Sequence, residues 1–282
     1  MFSFFKKQTN PKAKLKKILK GYELPSFPAV VMQILQKIRS PYSSIDSIAA
    51  SLSLDPGISV KVLGIANSAA FSPSKKVENL TQAIALVGIS QLESMVLGVG
   101  VAKGLPKKSC QWHDPGEFWL ASAKRAVLAS ELAQILCPAK EGECFTAAFL
   151  QDMALPFLAC HRSEEYDPIF KRWHLEGGDL AAIEREYLAW DHAEVAAWIC
   201  SEWGLPENIA AAIRGHHGHE IEAYEPLGPV RLVAILREDD DNSGLEEMIA
   251  EAGVSHGVSE EKMRAIIEPG FEKAKELARL II

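Results

Sequence analysis

Apolar residues recur every three to four positions along almost the whole chain, and nowhere do they alternate over the length of a strand. That spacing restricts the chain to an all-α fold, because only a helical turn brings such positions onto one face. Val30, Val31, Ile34, Leu35 and Ile38 make one stripe of this kind. Ser43-Ser44-Ile45-Asp46 has the form of a capping box and opens a helix through Leu52. Asp55-Pro56 opens the next, with Asp as acceptor for free amide protons and Pro in the first turn. It should run to about Asn67, whose amide closes the turn and whose backbone tolerates a left-handed conformation. Gly88 separates Thr81–Val87 from Gln91–Ala102 as a C-cap.

Residues 105–116, with Pro106, Pro115 and Gly116, read as a connecting loop between two lobes. Phe118–Leu136 and Cys144–Cys160 follow as long helices, the second kinked at Pro156. Leu180–Trp190 after Asp179, His192–Trp203, Pro206–His217 and Val230–Arg237 complete a second core. Glu238-Asp239-Asp240-Asp241 reads as a loop, and Glu260–Ile281 as a last helix. The expected organisation is a basic arm at 1–21, an N-terminal helical lobe at 22–104, the loop, a helical core at 117–238, and a C-terminal loop and helix at 239–282.

Charge is uneven. Residues 1–20 hold seven lysines and no acid, whereas the whole chain carries −7. A body that acidic repels a phosphate backbone, so nucleic acid is not an expected partner. The arm reads as a solvated terminus whose removal leaves the fold intact. The five cysteines, Cys110, Cys137, Cys144, Cys160 and Cys200, form no CxxC pair and are odd in number. They argue against a disulfide framework and a zinc knuckle, and a reducing cytoplasmic setting is expected. No apolar run approaches the ~20 residues of a membrane span.

Several segments together resemble one family. Leu24-Pro25-Ser26-Phe27-Pro28 leads into a helix. Asp55-Pro56 precedes Ile65-Ala66-Asn67-Ser68-Ala69-Ala70-Phe71, and Thr81-Gln82-Ala83-Ile84-Ala85-Leu86-Val87-Gly88 comes next. Asp191-His192-Ala193-Glu194-Val195, Trp203-Gly204-Leu205-Pro206-Glu207 and His216-His217 follow downstream. As a set, over about 22–237, they resemble the HDOD family of bacterial HD-related output domains. The resemblance implies an HD-like multi-helix core with an additional N-terminal lobe, related to helical metal phosphohydrolases.

An active HD site uses an early His, a His-Asp doublet and a late Asp to hold a divalent metal that polarises phosphate and supplies hydroxide. Set against that pattern, the chain has Ala121 where the early His belongs, Gln151-Asp152 for the doublet, and Ile235 for the late Asp. Asp152, His192, His216 and His217 remain as a remnant pocket, either hydrogen-bonded among themselves or holding a metal. His113-Asp114 spells the doublet but lies in the loop, so it is set aside. Ile48–Ile65 has the outline of a helix-turn-helix, yet its second helix offers only Lys61 as a basic side chain, which favours an ordinary helical hairpin. No phosphate-binding GxxxxGK[ST] or GxGxxG motif is present.

The resemblance therefore points to a non-catalytic signalling or regulatory module with protein partners and no cofactor. The alternative is a metal-dependent phosphohydrolase acting on a nucleotide or other phosphate ester through Zn, Fe, Mn or Mg.

Overall fold

Helix follows helix in the computed structural model, which describes residues 11–281 apart from 22–23, 25, 69–70, 72, 74, 108, 219–226 and 238–243. Among the described residues there is no strand, only an isolated bridge between Cys110 and His113. Pro25, Ala69, Ala70 and the acidic stretch 238–241 lie outside the described residues. No single described helix is long and apolar enough to cross a membrane.

The first helix corrects the expectation of a solvated arm. In α1 (Pro11–Ile18), Leu15 and Ile18 are buried, and so is Leu19 just beyond it. Arg162 donates to the Ile18 carbonyl, and Lys20 pairs with Glu165. The lysines at 16, 17 and 20 drew attention to charge, while the Leu15–Ile18–Leu19 spacing is that of a short buried stripe.

Five helices make the N-terminal lobe: α2 (Ala29–Arg39), α3 (Ile45–Leu52), α4 (Pro56–Ala66), α5 (Leu80–Val87) and α6 (Ile89–Gly104). Their ends follow local chemistry. Ser44 accepts from the Ser47 amide, and Asp55 Oδ1 accepts from the Ile58 amide at 3.0 Å. Gly88, at φ +80°, ends α5 in a conformation that L side chains rarely adopt. Asn67 stays right-handed at φ −91°, contrary to expectation. Its amide donates to the Leu63 and Val77 carbonyls and accepts from the Val77 amide, each bond within 2.9 Å, so it fastens the following loop to the helix end. Lys61 donates to the Leu280 carbonyl, which occupies the one basic side chain of the helix-turn-helix outline.

The connector leads to α7 (Pro115–Leu136), which starts earlier than periodicity suggested because Asp114 caps it, accepting from Gly116 and Glu117. Thus the Asp of the His113-Asp114 doublet has a structural role. After α7 come α8 (Glu141–Leu150), α9 (Leu155–His161), α10 (Ser163–Glu176), α11 (Leu180–Leu188), α12 (His192–Glu202) and α13 (Glu207–Arg214). Then follow α14 (Gly228–Val233), α15 (Leu245–His256) and α16 (Glu260–Ile281). The expected single helix over 144–160 is two. It breaks in the turn 151–154, and Pro156 sits in the first turn of α9, where its missing N–H costs nothing.

Lobe and core share one hydrophobic cluster running from Leu15 to Ala278. Helix α6 lies so close to α8 that a Cβ on Gly98 would stand 2.9 Å from the Phe149 ring. Helix α16 packs along α7 and also touches α4.

The cysteines require a second correction. Cys110 in the connector and Cys160 in the last turn of α9 are joined by a disulfide, with Cα atoms 5.7 Å apart. Cys137, Cys144 and Cys200 are free. Fifty residues separate the bonded pair, so no spacing motif could reveal it.

Candidate metal centre

The break between α8 and α9 places Asp152 in a turn at the centre of the helical core. Helix α12 opens on His192, because Asp191 caps it, accepting from the Glu194 amide at 2.9 Å. Asp191 is itself buried and held by Arg185 at 2.6 Å. His216 and His217 sit in the turn closing α13.

These three elements bring four donor atoms together. His192 Nε2 lies 3.2 Å from Asp152 Oδ1, 3.3 Å from His216 Nε2 and 3.0 Å from His217 Nε2. His216 Nε2 is 3.3 Å from the same Oδ1. All four donor atoms lie within 4.8 Å of one another. A tetrahedral cation with bonds of about 2.0–2.1 Å sets its donors about 3.3 Å apart, so this spacing fits one.

The opposite edge of each imidazole decides which nitrogen carries the proton. His192 Nδ1 is 2.6 Å from Glu184 Oε2, His216 Nδ1 is 2.5 Å from the Ile213 carbonyl, and His217 Nδ1 is 2.8 Å from Asp179 Oδ1. Carbonyls and carboxylates only accept, so each Nδ1 carries hydrogen and each neutral ring turns its Nε2 lone pair inward. Three lone pairs and a carboxylate oxygen facing one another repel unless a cation stands between them.

Burial would strip the charge from His192, but Glu184 and Asp152 on either side outweigh it and raise its pKa well above the usual range. A proton on His192 is thus the metal-free way to fill the gap. Burial, reinforced by repulsion from His216, lowers His217 to about 3. Burial also opposes ionisation of Asp152, but Arg125, His192 and His216 overcome it and hold the carboxyl well below the ordinary value.

Glu184 and Arg125 belong to no motif. Glu184, fully buried, also accepts from the His192 amide at 2.8 Å and from the Tyr166 hydroxyl at 2.6 Å. Its signal in the sequence was a carboxylate on the Leu180–Ala181–Ile183–Glu184 stripe of α11, an apolar face where an acid needs a partner. Arg125 Nη1 lies 2.7 Å from Asp152 Oδ2, and its Nη2 donates to the Leu236 carbonyl at 2.7 Å. It stands one helical turn beyond Ala121, on the same side of α7. Arg125 holds one oxygen of Asp152, therefore, and leaves the other to the imidazoles.

Of the substituted positions, Ala121 and Gln151 are buried, and the Gln151 carbonyl oxygen finds no hydrogen-bond partner. Ile235 lines the mouth of the site, in the turn after α14. The site opens into a cavity of about 1020 Å³, whose walls include Trp173, Arg231 and Arg237.

The frame around this site is shared with known proteins. An HDOD domain protein from Geobacter sulfurreducens has the same fold at 20% identity and TM-score 0.72, covering 96% of this chain and 98% of its own. A Shewanella amazonensis SB2B protein, whose name assigns it provisionally to the phosphohydrolases, gives 22% identity and TM-score 0.72, covering 94% and 98%. An uncharacterized protein of Treponema pallidum is 25% identical over 218 residues, 73% of this chain but only 40% of the relative's own length. The sequence pattern of the HDOD domain matches residues 24–219, a span that holds the connector, Arg125, Asp152 and all three histidines, and on that match the chain belongs to the HDOD domain family.

Proposed function

We propose that this chain is a regulatory signalling module whose core holds a single divalent cation and does not turn over phosphate esters. One observation carries the reading. Three Nε2 atoms and Asp152 Oδ1 converge with every Nδ1 tied to an acceptor, while Arg125 holds the other Asp152 oxygen. The imidazoles and one carboxylate would hold the ion, and a nitrogen-rich donor set suits zinc or iron better than magnesium. A bound ion would supply positive charge that links α12 and the α13 turn to Asp152. Four protein donors fill a tetrahedral ion and leave no open position for an attacking water, which favours a structural or ligand-sensing role over hydrolysis. Membership of the HDOD family supports a signalling role, and protein partners follow as its proposed output.

The alternative reading, a metal-dependent phosphohydrolase, draws on the wide cavity directly above the four donors. Assays with phosphomonoesters, phosphodiesters and cyclic dinucleotides separate the two, with zinc, iron, manganese or magnesium added in turn. Background turnover in every combination is expected. Metal-stimulated hydrolysis that disappears in Asp152→Ala would establish the enzyme instead.

A further inference from the structure

We propose that Cys110 and Cys160 form a reversible redox site, a thiol–disulfide latch that fastens the connector to the helical core. The two sulfurs occupy telling positions. Cys110 belongs to the segment between α6 and α7, where the N-terminal lobe passes into the core. Cys160 lies in the last turn of α9, the helix that begins three residues after Asp152. The disulfide thus ties the lobe-to-core passage to the helix that leads away from the carboxylate at the centre of the site.

Accessibility separates this pair from Cys144 and Cys200, and the lack of an accessible sulfur partner separates it from half-buried Cys137. Cys110 and Cys160 are half-buried and within reach of solvent. Cys144 and Cys200 are fully buried, and burial pushes both thiols up, so little thiolate forms there. Cys137 has only the buried Cys144 as a sulfur neighbour, at 4.0 Å.

The connector is also seated without the disulfide, which makes the bond reversible. Trp112 stacks on Phe170 and His174 of α10, with ring centroids 5.7 and 5.4 Å away. Its indole N–H donates to Asp167 at 3.3 Å, and Gln111 donates to the same carboxylate at 3.1 Å. Cys110 and His113 exchange backbone hydrogen bonds of 2.9 and 3.1 Å, closing a tight loop around Trp112. After reduction these contacts keep the two thiols near each other, so closing the bond again orders little further chain. The Cα separation of 5.7 Å is that of an ordinary disulfide.

The chemistry is exchange with a small disulfide, RSSR. A Cys thiolate attacks one sulfur of RSSR and expels RS⁻, leaving a mixed disulfide. The second Cys thiolate then attacks the protein sulfur of that mixed disulfide and expels the second RS⁻. The chain loses two electrons and two protons, and RSSR becomes two RSH.

The test equilibrates the full chain across ratios of oxidised to reduced glutathione, traps thiols by alkylation and identifies them by mass. Cys110 and Cys160 are expected to oxidise together in one two-electron transition, while Cys137, Cys144 and Cys200 stay reduced. Limited proteolysis then compares cleavage within 105–116. The reduced chain should be cut several-fold faster, and Cys110→Ser and Cys160→Ser should be cut at the reduced rate in both buffers. A pair that stays reduced at the most oxidising ratio overturns the proposal. So does one that stays oxidised in excess dithiothreitol under native conditions, and so do equal cleavage rates for the two forms of the unaltered chain.

Discussion

Arg125 and Asp152 form a buried ion pair, Nη1 to Oδ2 at 2.7 Å, at the floor of a pocket whose other donors are three imidazoles. The guanidinium fixes one carboxylate oxygen and so determines which oxygen faces the histidines. Removing one member of such a pair leaves a buried charge without compensation, at a cost of about 3–5 kcal/mol. Arg125→Met is expected to destabilise the metal-free chain by that amount. The loss should be smaller with saturating zinc, because the ion then balances Asp152. Denaturant midpoints with and without zinc check both statements, and an equal loss in the two conditions would count against a cation at this site.

Glu184 tests the outer layer of the site. It orients His192 and makes its Nε2 a better donor, and losing such a partner lowers metal affinity about 10–100-fold. Glu184→Gln should show this in competition with a chromophoric chelator while its helical signal stays unchanged. Unaltered affinity would mean that Glu184 serves only packing.

The basic arm has a stability consequence. Leu15, Ile18 and Leu19 are buried against the core, and burying each such side chain contributes about 1.5–3 kcal/mol before ordering costs. Deleting residues 1–20 should therefore lower stability by about 2–4 kcal/mol, read from the denaturant midpoint. A midpoint equal to that of the full chain would show that α1 contributes nothing.

Asp55 supplies a pH dependence. Its carboxyl is held below the ordinary value, first by the hydrogen bond from Lys103 and then by the Ile58 amide, with burial opposing. A depressed carboxylate stabilises the fold above its unfolded pKa, and the contribution disappears as pH falls through the folded one. Asp55→Ala should cost about 1 kcal/mol at pH 7. The gap from the parent should begin to narrow below about pH 4 and close only as pH falls through the lower folded value. A gap that persists unchanged into acid would rule out an ionised cap.

Local chemistry is what the sequence displays best. Ser44, Asp55, Gly88 and Asp179 act within four residues of themselves, and each was legible as a helix boundary. Asp152, His192, His216 and His217 were legible as candidates only through the family resemblance, since His192 lies 40 residues after Asp152 and His216 a further 24 on, separations that no metal-ligand spacing motif covers. Arg125 and the Cys110–Cys160 bond depend on partners far away in the chain, which no periodicity encodes, whereas Glu184 shows only as an acid on the apolar stripe of α11. The lysines of the arm concealed a short apolar stripe, and the turn at 151–154 interrupts a run whose apolar spacing continues unbroken.

The most direct test of the central claim is the ratio of metal to protein. The chain is purified with zinc, freed of loose ions by gel filtration and submitted to elemental analysis beside Asp152→Ala and His217→Ala. About one divalent ion per chain is expected in the parent, with most of it lost in both variants. A parent chain without metal, or one that holds two ions per chain, would contradict the account.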